Sequence, residues 1–457
     1  MRHHPRSLRR SAAALLAVLA LGASACSRSG DEVESGTDTT AAGSDTSVAG
    51  GESRLDAGGF GDLENVCQEG DASGATDIGV TDDTIQVSTI TDKGFQARPG
   101  LNEEMYDTAV AFAAWCNERG GINGRELVVV DRDAALVDYN ARIIDACSQD
   151  LALVGGGAVL DDSDNGARVG CGLPNISGYV VSETARSAEL LVQPVPNPTG
   201  RMSLGVYQLV AEQHPDLINR FGTITSSFGS VLNQRDDTVA AAEAMGYTSV
   251  YAEEYNSQGE PTWRPFVDAL QAADVQVLDF IGEPTFFAQL LEQMETVGYR
   301  PAIMLQNANF YDQTFAETAG DFAENVNVRL QYTPLELADQ NPATADYLEL
   351  IERYNPGGKV ALLGMQALSA YLLFAQSAAA CGSELTRECL LEQAGSVTEW
   401  TAGGLHAPQD PATSTPSRCW VSLEVTGDGF VVNEDLTAPT DGIFNCEDDN
   451  VVEVPAG

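Results

Sequence analysis

Basic side chains are scarce in this sequence. Its 457 residues contain 24 lysines and arginines against 67 aspartates and glutamates, which gives a formal net charge of -43 at pH 7. A surface of this sign repels the phosphate backbone of nucleic acids and offers no attraction toward anionic lipids. We therefore exclude nucleic acid as a partner and attribute most of the charge to a solvated surface.

Motifs for catalysis or metal binding are also missing. The sequence has no CxxC pair and no GxSxG elbow, and Gly155-Gly156-Gly157 lacks the Lys-Ser/Thr ending of a phosphate loop. Only His214 and His406 lie beyond the N-terminal leader, so a zinc site or a Ser-His-Asp device has little material. We expect no enzyme activity, no metal and no cofactor.

Residues 1–25 have the order of a signal peptide. They contain no acid, begin with scattered arginines, and run through SAAALLAVLALGA to the small residues Ala23-Ser24-Ala25. An apolar run of about 13 residues is too short for a bilayer core, which needs about 20. We find no later segment that is long and apolar enough to span a membrane.

Cys26 follows this small-residue stretch directly. The arrangement resembles a bacterial lipobox, in which the cysteine becomes the lipidated first residue of the mature protein. The alternative is an ordinary signal peptide followed by an incidental cysteine. The lipobox reading predicts an extracytoplasmic protein on the outer face of the cell membrane, in contact with the membrane through its lipid anchor only.

Residues 26–61 are rich in Ser, Thr, Gly, Ala and acids, and they contain almost no large apolar side chains. Such a composition cannot bury enough apolar surface to fold by itself, so we predict a flexible linker.

From Thr84 onward short apolar runs alternate with amphipathic stretches, which indicates parallel sheets covered by helices. In the first such helix Met105, Ala109, Phe112 and Cys116 recur at helical spacing. About 380 folded residues are too many for one core. We predict an α/β fold of two Rossmann-like lobes with parallel sheets, joined by a hinge.

The Pro-rich segment QPVPNPTG marks the first passage between the lobes. We assign residues 77–196 plus about 308–410 to lobe 1. We assign residues 197–307 plus C-terminal strands at about 418–435 to lobe 2, and residues 436–457 to a tail.

The sequence has nine cysteines, and Cys26 leaves an even number in a chain bound for an oxidising compartment. Four disulfides are therefore expected, although eight cysteines allow about 105 pairings. Proximity along the chain favours these pairs: Cys67 with Cys116, Cys147 with Cys171, Cys381 with Cys389, and Cys419 with Cys446.

Seven segments, in order along about residues 84–435, resemble one protein family. They are NERGGINGRELVVVDRDA, LVGGGAV, GLPNISG, GTITSSFGS, ETVGYRPAIM, VALLGMQALSAYLLFAQSAAACG and TAGGLHAP. The chain resembles type I periplasmic binding proteins of the branched-chain amino-acid-binding (Leu/Ile/Val-binding) group, the solute receptors of ABC importers. Each motif is weak alone, but seven in register form a specific pattern.

This resemblance implies a monomeric receptor that captures a small polar solute, such as an amino acid or amide, between two closing lobes and delivers it to an ABC permease. In parallel sheets ligands bind beyond the carboxyl ends of the strands. The candidate ligand-binding residues therefore share a place at strand ends facing the cleft: Phe95, Gln96, Gly157, Ala158, Val159, Ser177, Gly178, Tyr179, Ser226, Phe228, Glu283 and Asn307.

Three positions depart from the family's amino-acid clamp. The hydroxyls that hold the ligand carboxylate would fall near Val159 or Leu160 and on Val181, and the acid that grips its ammonium would fall on Asn307. A standard amino acid is thus in doubt, and Glu283 is a candidate replacement for the missing acid. An alternative function is a sensor or regulatory module that presents its closed form to a signalling partner, since the fold alone does not separate the two.

Overall fold

The computed structural model describes residues 53–162 and 164–454. The predicted signal peptide, the lipidation site Cys26 and most of the predicted linker lie outside these residues.

The first sheet is entirely parallel. Its strands are β1 (Thr84–Thr91), β2 (Glu126–Asp133), β3 (Leu153–Val154), β4 (Asn175–Ile176) and β5 (Leu191–Val192), in the order β2-β1-β3-β4-β5. Helices α1 (Glu103–Glu118), α2 (Tyr139–Gln149), α3 (Asp164–Gly170) and α4 (Glu183–Arg186) connect them. With the later helices α10 (Pro342–Tyr354), α11 (Leu362–Cys381) and α12 (Arg387–Ala394), this sheet forms lobe 1.

The second sheet is mixed. After a short strand β6 (Arg201–Ser203) its members are β7 (Phe221–Ser226), β8 (Ser249–Tyr255), β9 (Val277–Ile281), β10 (Ile303–Gln306), β11 (Val326–Leu330), β12 (Val421–Thr426) and β13 (Gly429–Val432). The order is β13-β12-β11-β10-β9-β7-β8, and only β12 and β13 run antiparallel to their neighbours. Helices α5 (Gly205–Gln213), α6 (Gly229–Ala244), α7 (Arg264–Ala272), α8 (Pro284–Val297) and α9 (Gln313–Ala319) complete lobe 2. The predicted fold class is confirmed.

Helix α1 shows how the sequence pattern forms the core of lobe 1. The four side chains that recur at helical spacing, Met105, Ala109, Phe112 and Cys116, are all fully buried. Opposite them, the hydroxyl of Tyr371 on α11 lies 2.7 Å from Thr89 Oγ1 on β1. The periodicity predicts both the helix and its buried face because only one side of α1 meets the sheet and α11.

Helix α11 corrects one expectation. By length and composition the segment Leu362–Glu384 is apolar enough to cross a membrane, contrary to the sequence prediction, but most of its apolar stretch is buried inside the protein. It is therefore a core helix of lobe 1, apolar on all sides because α1, α12 and the sheet surround it.

The boundary predicted between residues 307 and 308 is wrong. Strand β11 pairs in parallel with β10, through Met304 opposite Val326, so the chain stays in lobe 2 as far as Leu330. The strand was missed because VNVRL is short and interrupted by Asn327 and Arg329. The second passage between lobes therefore begins at about residue 331.

The predicted linker and the predicted tail both contain folded parts. Leu55 and Phe60 are fully buried, and the indole N–H of Trp115 donates to the Leu55 carbonyl at 2.8 Å, so the linker cannot extend to residue 61. At the other end β14 (Val451–Glu453) pairs antiparallel with β6, which attaches the predicted tail to lobe 2.

The described residues form four disulfides, and these join the pairs that proximity favoured: Cys67–Cys116, Cys147–Cys171, Cys381–Cys389 and Cys419–Cys446.

Two of the three passages between the lobes run side by side. The amide of Thr333 donates to Leu405 O at 3.1 Å, and that of Ala407 donates to Gln331 O at 2.9 Å. Buried His406 lies in this pair of passages, with Nε2 2.8 Å from Ser369 Oγ and Nδ1 2.8 Å from the Ala407 carbonyl. A neutral imidazole with its proton on Nδ1 satisfies both contacts. His214, by contrast, is exposed at the end of α5.

Removal of disulfides should destabilise the protein in the order of the loops they close. Cys67–Cys116 spans 49 residues and Cys381–Cys389 spans 8. On the loop-entropy account, the double alanine variant of the first pair should lose about 4 kcal/mol of unfolding free energy, and that of the second about 2–3 kcal/mol. Denaturant unfolding of the two variants tests this order, and equal losses would contradict it.

Protonation of His406 should couple stability to pH. Burial lowers the pKa of His406 to about 4, against a weaker opposing effect of the Ala407 carbonyl. Between about pH 6.5 and 4, His406 is protonated in the unfolded chain but stays neutral in the folded chain. The unfolding free energy therefore falls by up to about 3 kcal/mol as pH drops. Denaturant unfolding across this range should show a smaller fall for His406→Gln than for wild type, with His214→Gln as the matched control. Identical pH slopes for all three proteins would refute the role of His406.

Candidate functional site

A cavity of about 320 Å³ lies between the two lobes. Lobe 2 lines it with residues that follow the carboxyl ends of β7, β9, β10 and β11, and lobe 1 lines it with the loops after β3 and β4. Helix N-termini and strand ends thus meet at one place, as parallel sheets require.

The structure brings seven of the twelve predicted residues to this cavity. They are Val159, Gly178, Tyr179, Ser226, Phe228, Glu283 and Asn307. The remaining five do not line it: Phe95, Gln96, Gly157, Ala158 and Ser177.

These five fail for local reasons. Gln96 is exposed and its amide turns back to the Gly94 carbonyl at 3.2 Å. Ala158 packs into a small cluster of buried residues in lobe 1, and Ser177 is buried with its hydroxyl unpaired. Gly157 lies beneath Tyr179, where an added Cβ would come 2.6 Å from the ring. Phe95 is partly exposed on the same loop as Gln96.

Two buried carboxylates hold the lobe 1 loops. Asp92 accepts hydrogen bonds from the amides of Val159 and Leu136, both at 2.8 Å. Asp161 does the same for Val181 and Ser182, at 2.8 and 2.9 Å. Burial raises the pKa of Asp92, and the two amides partly offset that effect. These carboxylates fix the backbone on which Val159 and Val181 face the cavity.

The Tyr179 side chain forms part of the cavity wall on the lobe 1 side. Its hydroxyl accepts from Asn102 Nδ2 at 2.6 Å, so the loop before α1 and the loop after β4 are joined. Burial raises the pKa of Tyr179 well above its ordinary value, with further contributions from Asp92 and other carboxylates. The side chain is therefore a neutral, fixed ring surface with a polar edge.

The two lobes contact each other across the cavity. Arg98 forms an ion pair with Glu283, and Ser230 Oγ on α6 donates to the Val159 carbonyl at 2.8 Å. Burial raises the pKa of Glu283, while Arg98 opposes that rise. Glu283 is thus already occupied by an arginine rather than free to receive a ligand ammonium.

A second cluster of charged side chains lies just before the N-terminus of α11. Lys359 Nζ is 3.3 Å from Glu104 Oε2 and 3.1 Å from Asp312 Oδ2. Burial lowers the pKa of Lys359, but the two carboxylates outweigh that effect and the pKa lies above its ordinary value. Burial raises the pKa of Glu104 despite Lys359. Lys359 is thus ion-paired with two carboxylates at once.

Arg329 extends from the end of β11 toward the cavity. Its guanidinium donates to the Ser203 carbonyl at 3.1 Å and to Asn307 Oδ1, and it lies 5.8 Å from the centroid of the Tyr207 ring. The Tyr207 hydroxyl in turn donates to Asp279 Oδ2 at 2.6 Å. The Asn307 side chain therefore accepts a hydrogen bond from Arg329, and it provides no carboxylate for a ligand ammonium.

The basic residues of the site were not predicted from the sequence. Arg98 lies on the loop that contains Phe95 and Gln96, and Arg329 ends a strand that was assigned to the wrong lobe. If β11 had been recognised, the expectation that ligands bind at the carboxyl ends of strands would have made Arg329 a candidate residue. Lys359 carried no such signal, since it precedes a helix distant in the sequence from the lobe 1 loops.

A scan of protein families matches the model described as periplasmic binding protein over residues 170–429. None of the curated proteins matches the sequence significantly.

Solved structures match the fold. A fatty acid ABC transporter substrate-binding protein from Thermomonospora curvata is 17% identical with a TM-score of 0.67, over 85% of this chain and 99% of that one. An ABC transporter substrate-binding protein from Sphaerobacter thermophilus is 16% identical with a TM-score of 0.62, over 77% and 97%. A leucine-binding protein from Thermotoga maritima is 13% identical with a TM-score of 0.60, over 76% and 97%.

Asp92 should be needed for both stability and the shape of the site. Asp92→Ala leaves two amides without acceptors, and we expect a loss of about 2–5 kcal/mol even though a buried carboxylate is removed. Asp92→Asn keeps one acceptor oxygen and should recover about half of that loss. Denaturant unfolding measures both variants. A smaller loss for the alanine variant than for the asparagine variant would contradict the bracing role.

Proposed function

The chain belongs to the periplasmic binding protein family, and we propose that it is the solute receptor of an ABC importer, working outside the cytoplasm. The observation that carries this proposal is the cavity between the strand ends of two lobes that contact each other across it. A site built from two bodies can surround a small molecule completely, and it can open again through the passages that join them.

The contacts across the cavity suggest how capture proceeds. A solute first meets one lobe, and closure then adds the groups of the other lobe together with the Arg98–Glu283 pair and the Ser230–Val159 contact. Because the solute touches more groups in the closed form, it shifts the population toward that form. A permease that binds the closed form preferentially would accept only loaded receptors.

The cavity volume limits the solute to a small molecule. About 320 Å³ lies at the lower end of the range of about 300–1,000 Å³ usual for small-molecule sites. The resemblance to amino-acid-binding members of the family puts their carboxylate-binding hydroxyls near Val159 or Leu160 and on Val181. Val159 and Val181 both line the cavity. We therefore propose a solute other than a standard α-amino acid.

We further propose that Cys26 is lipidated and holds a monomeric receptor on the outer face of the membrane. This rests on the leader sequence and on Cys26 following Ala-Ser-Ala. Mass spectrometry of the protein from its native membrane should show an acylated N-terminal Cys26, and cleavage at another position would refute the anchor.

A thermal-shift screen tests the receptor role. The chain should start at residue 27, because removal of Leu55 and Phe60 would open the core of lobe 1. Amino acids, amides, ureas, polyols and carboxylates form the panel. A solute at 100 times its dissociation constant should add about 2.7 kcal/mol to stability.

Variants of the Arg98–Glu283 ion pair between the lobes provide the matched comparison. Arg98→Gln and Glu283→Gln should each weaken binding of the hit by no more than about fivefold, since a partly exposed ion pair contributes about 1 kcal/mol. Isothermal titration measures the affinities. If no solute in the panel stabilises the wild-type chain, the receptor proposal fails.

A further inference from the structure

The cavity has the opposite charge balance to the whole protein. Acids outnumber bases 67 to 24 along the chain. Among the residues that line the cavity, however, the cations are Arg98, Arg186, Arg329 and Lys359, and the carboxylates are Glu104, Glu283 and Asp312. In so acidic a protein, a cavity lined by four cations favours a negatively charged ligand if one of these cations has no carboxylate partner.

Three of these cations already have carboxylate partners. Arg98 pairs with Glu283, Lys359 with Glu104 and Asp312, and Arg186 Nη1 lies 3.3 Å from Asp237 Oδ2. Within the described part of the chain, no carboxylate lies at ion-pair distance from Arg329. Among the described residues that line the cavity, Arg329 is therefore the cation that has no carboxylate at ion-pair distance.

Arg329 is also held in place before any ligand arrives. The Ser203 carbonyl and Asn307 Oδ1 each accept from a different Nη atom, and the Tyr207 ring supports the guanidinium. A guanidinium has five N–H donors, and these contacts occupy two. Further donors thus remain for a planar acceptor, in the fork geometry that suits a carboxylate.

Asp279 lies deeper in lobe 2 and does not replace such a partner. Its Oδ2 accepts from the Tyr207 hydroxyl, and burial raises the pKa of Asp279 to about 6, with Tyr207 and Arg329 opposing the rise. The Asp279 carboxylate offsets part of the positive charge through space, yet it accepts no hydrogen bond from Arg329 and leaves the remaining donors of Arg329 available.

The rest of the cavity wall combines apolar side chains with neutral amide side chains such as Gln193, Gln331 and Gln366. The apolar part of the wall includes Val159, Val181, Val195, Met202, Phe228 and Leu362. No free acid is present for an ammonium, because Glu104, Glu283 and Asp312 are paired with cations. A ligand that matches these walls has an apolar body and no positive charge.

From these observations we propose that the solute is an aliphatic monocarboxylate whose carboxylate binds Arg329 and whose apolar body contacts the valine, methionine and phenylalanine side chains of the two lobes. The proposal rests on the receptor role proposed above and specifies the class of its solute.

The test compares short and branched aliphatic carboxylates with the primary amides and amines of the same carbon skeletons. Isothermal titration of the wild-type chain should give carboxylate affinities at least about 30-fold above those of the matched amides and amines, as expected for loss of one partner of a desolvated charge pair. This comparison needs no variant and is independent of folding effects.

Variants then assign the effect to Arg329. Arg329→Gln should weaken carboxylate binding by at least about 30-fold, and Arg329→Lys should give an intermediate loss because it keeps the charge without the fork. Arg264→Gln, an exposed arginine of lobe 2 paired only with Asp268, is the charge-matched control and should stay within about twofold of wild type. Circular dichroism and unliganded melting temperatures check that each variant folds.

The outcomes separate this proposal from the receptor role. If a neutral or cationic solute of the broad panel binds tightly while carboxylates do not, the protein remains a receptor and the carboxylate assignment is overturned. If carboxylates bind but Arg329→Gln and Arg329→Lys match the control, the assignment to Arg329 is overturned. If nothing in either panel binds the wild-type chain, the receptor role fails and this inference fails with it.

Discussion

Parallel pairing of strands is the constraint on which the rest of this structure depends. Each parallel strand must be followed by a crossover, so successive strands deliver their carboxyl ends to the same edge of a sheet. Here that edge brings together groups as distant in sequence as Val159, Glu283 and Arg329. The cavity follows from two such edges facing each other, and the passages between the lobes determine how far apart those edges can be. The paired second and third passages make that connection a small two-stranded hinge.

The charged side chains are arranged differently on the surface and in the cavity. Most described acids lie on the surface, where water solvates them, while the cavity places partly buried cations beside carboxylates. A buried carboxylate without a partner would be costly, so each of these acids has an arginine, a lysine or backbone amides near it. The consequence is a site in which nearly every charge is neutralised internally. Binding then depends on the few groups left over, and specificity is decided by them.

The sequence allowed the fold to be predicted further than the site. Periodicity identified α1 and its buried face, and proximity identified the four disulfide pairs, because both depend on residues near one another along the chain. Strand β11 escaped notice since its five residues include Asn327 and Arg329, and this error hid Arg329. For the loop after β1, the expectation that ligands bind at strand ends identified the right segment but the wrong side chains. Whether Phe95, Gln96 or Arg98 faces the cavity depends on loop geometry and on Glu283 in the other lobe, which local patterns do not contain.

The attachment of the two chain ends has a further consequence. Residues from Ser53 onward are tied to lobe 1 through Arg54–Asp346 and Cys67–Cys116, whereas β14 near the other end is tied to lobe 2 through β6. The two described ends of one polypeptide therefore travel with different rigid bodies. A rotation of the lobes that closes the cavity therefore also changes the distance between these ends. Donor and acceptor fluorophores fused there would report occupancy by energy transfer, which makes the native connectivity a scaffold for a biosensor.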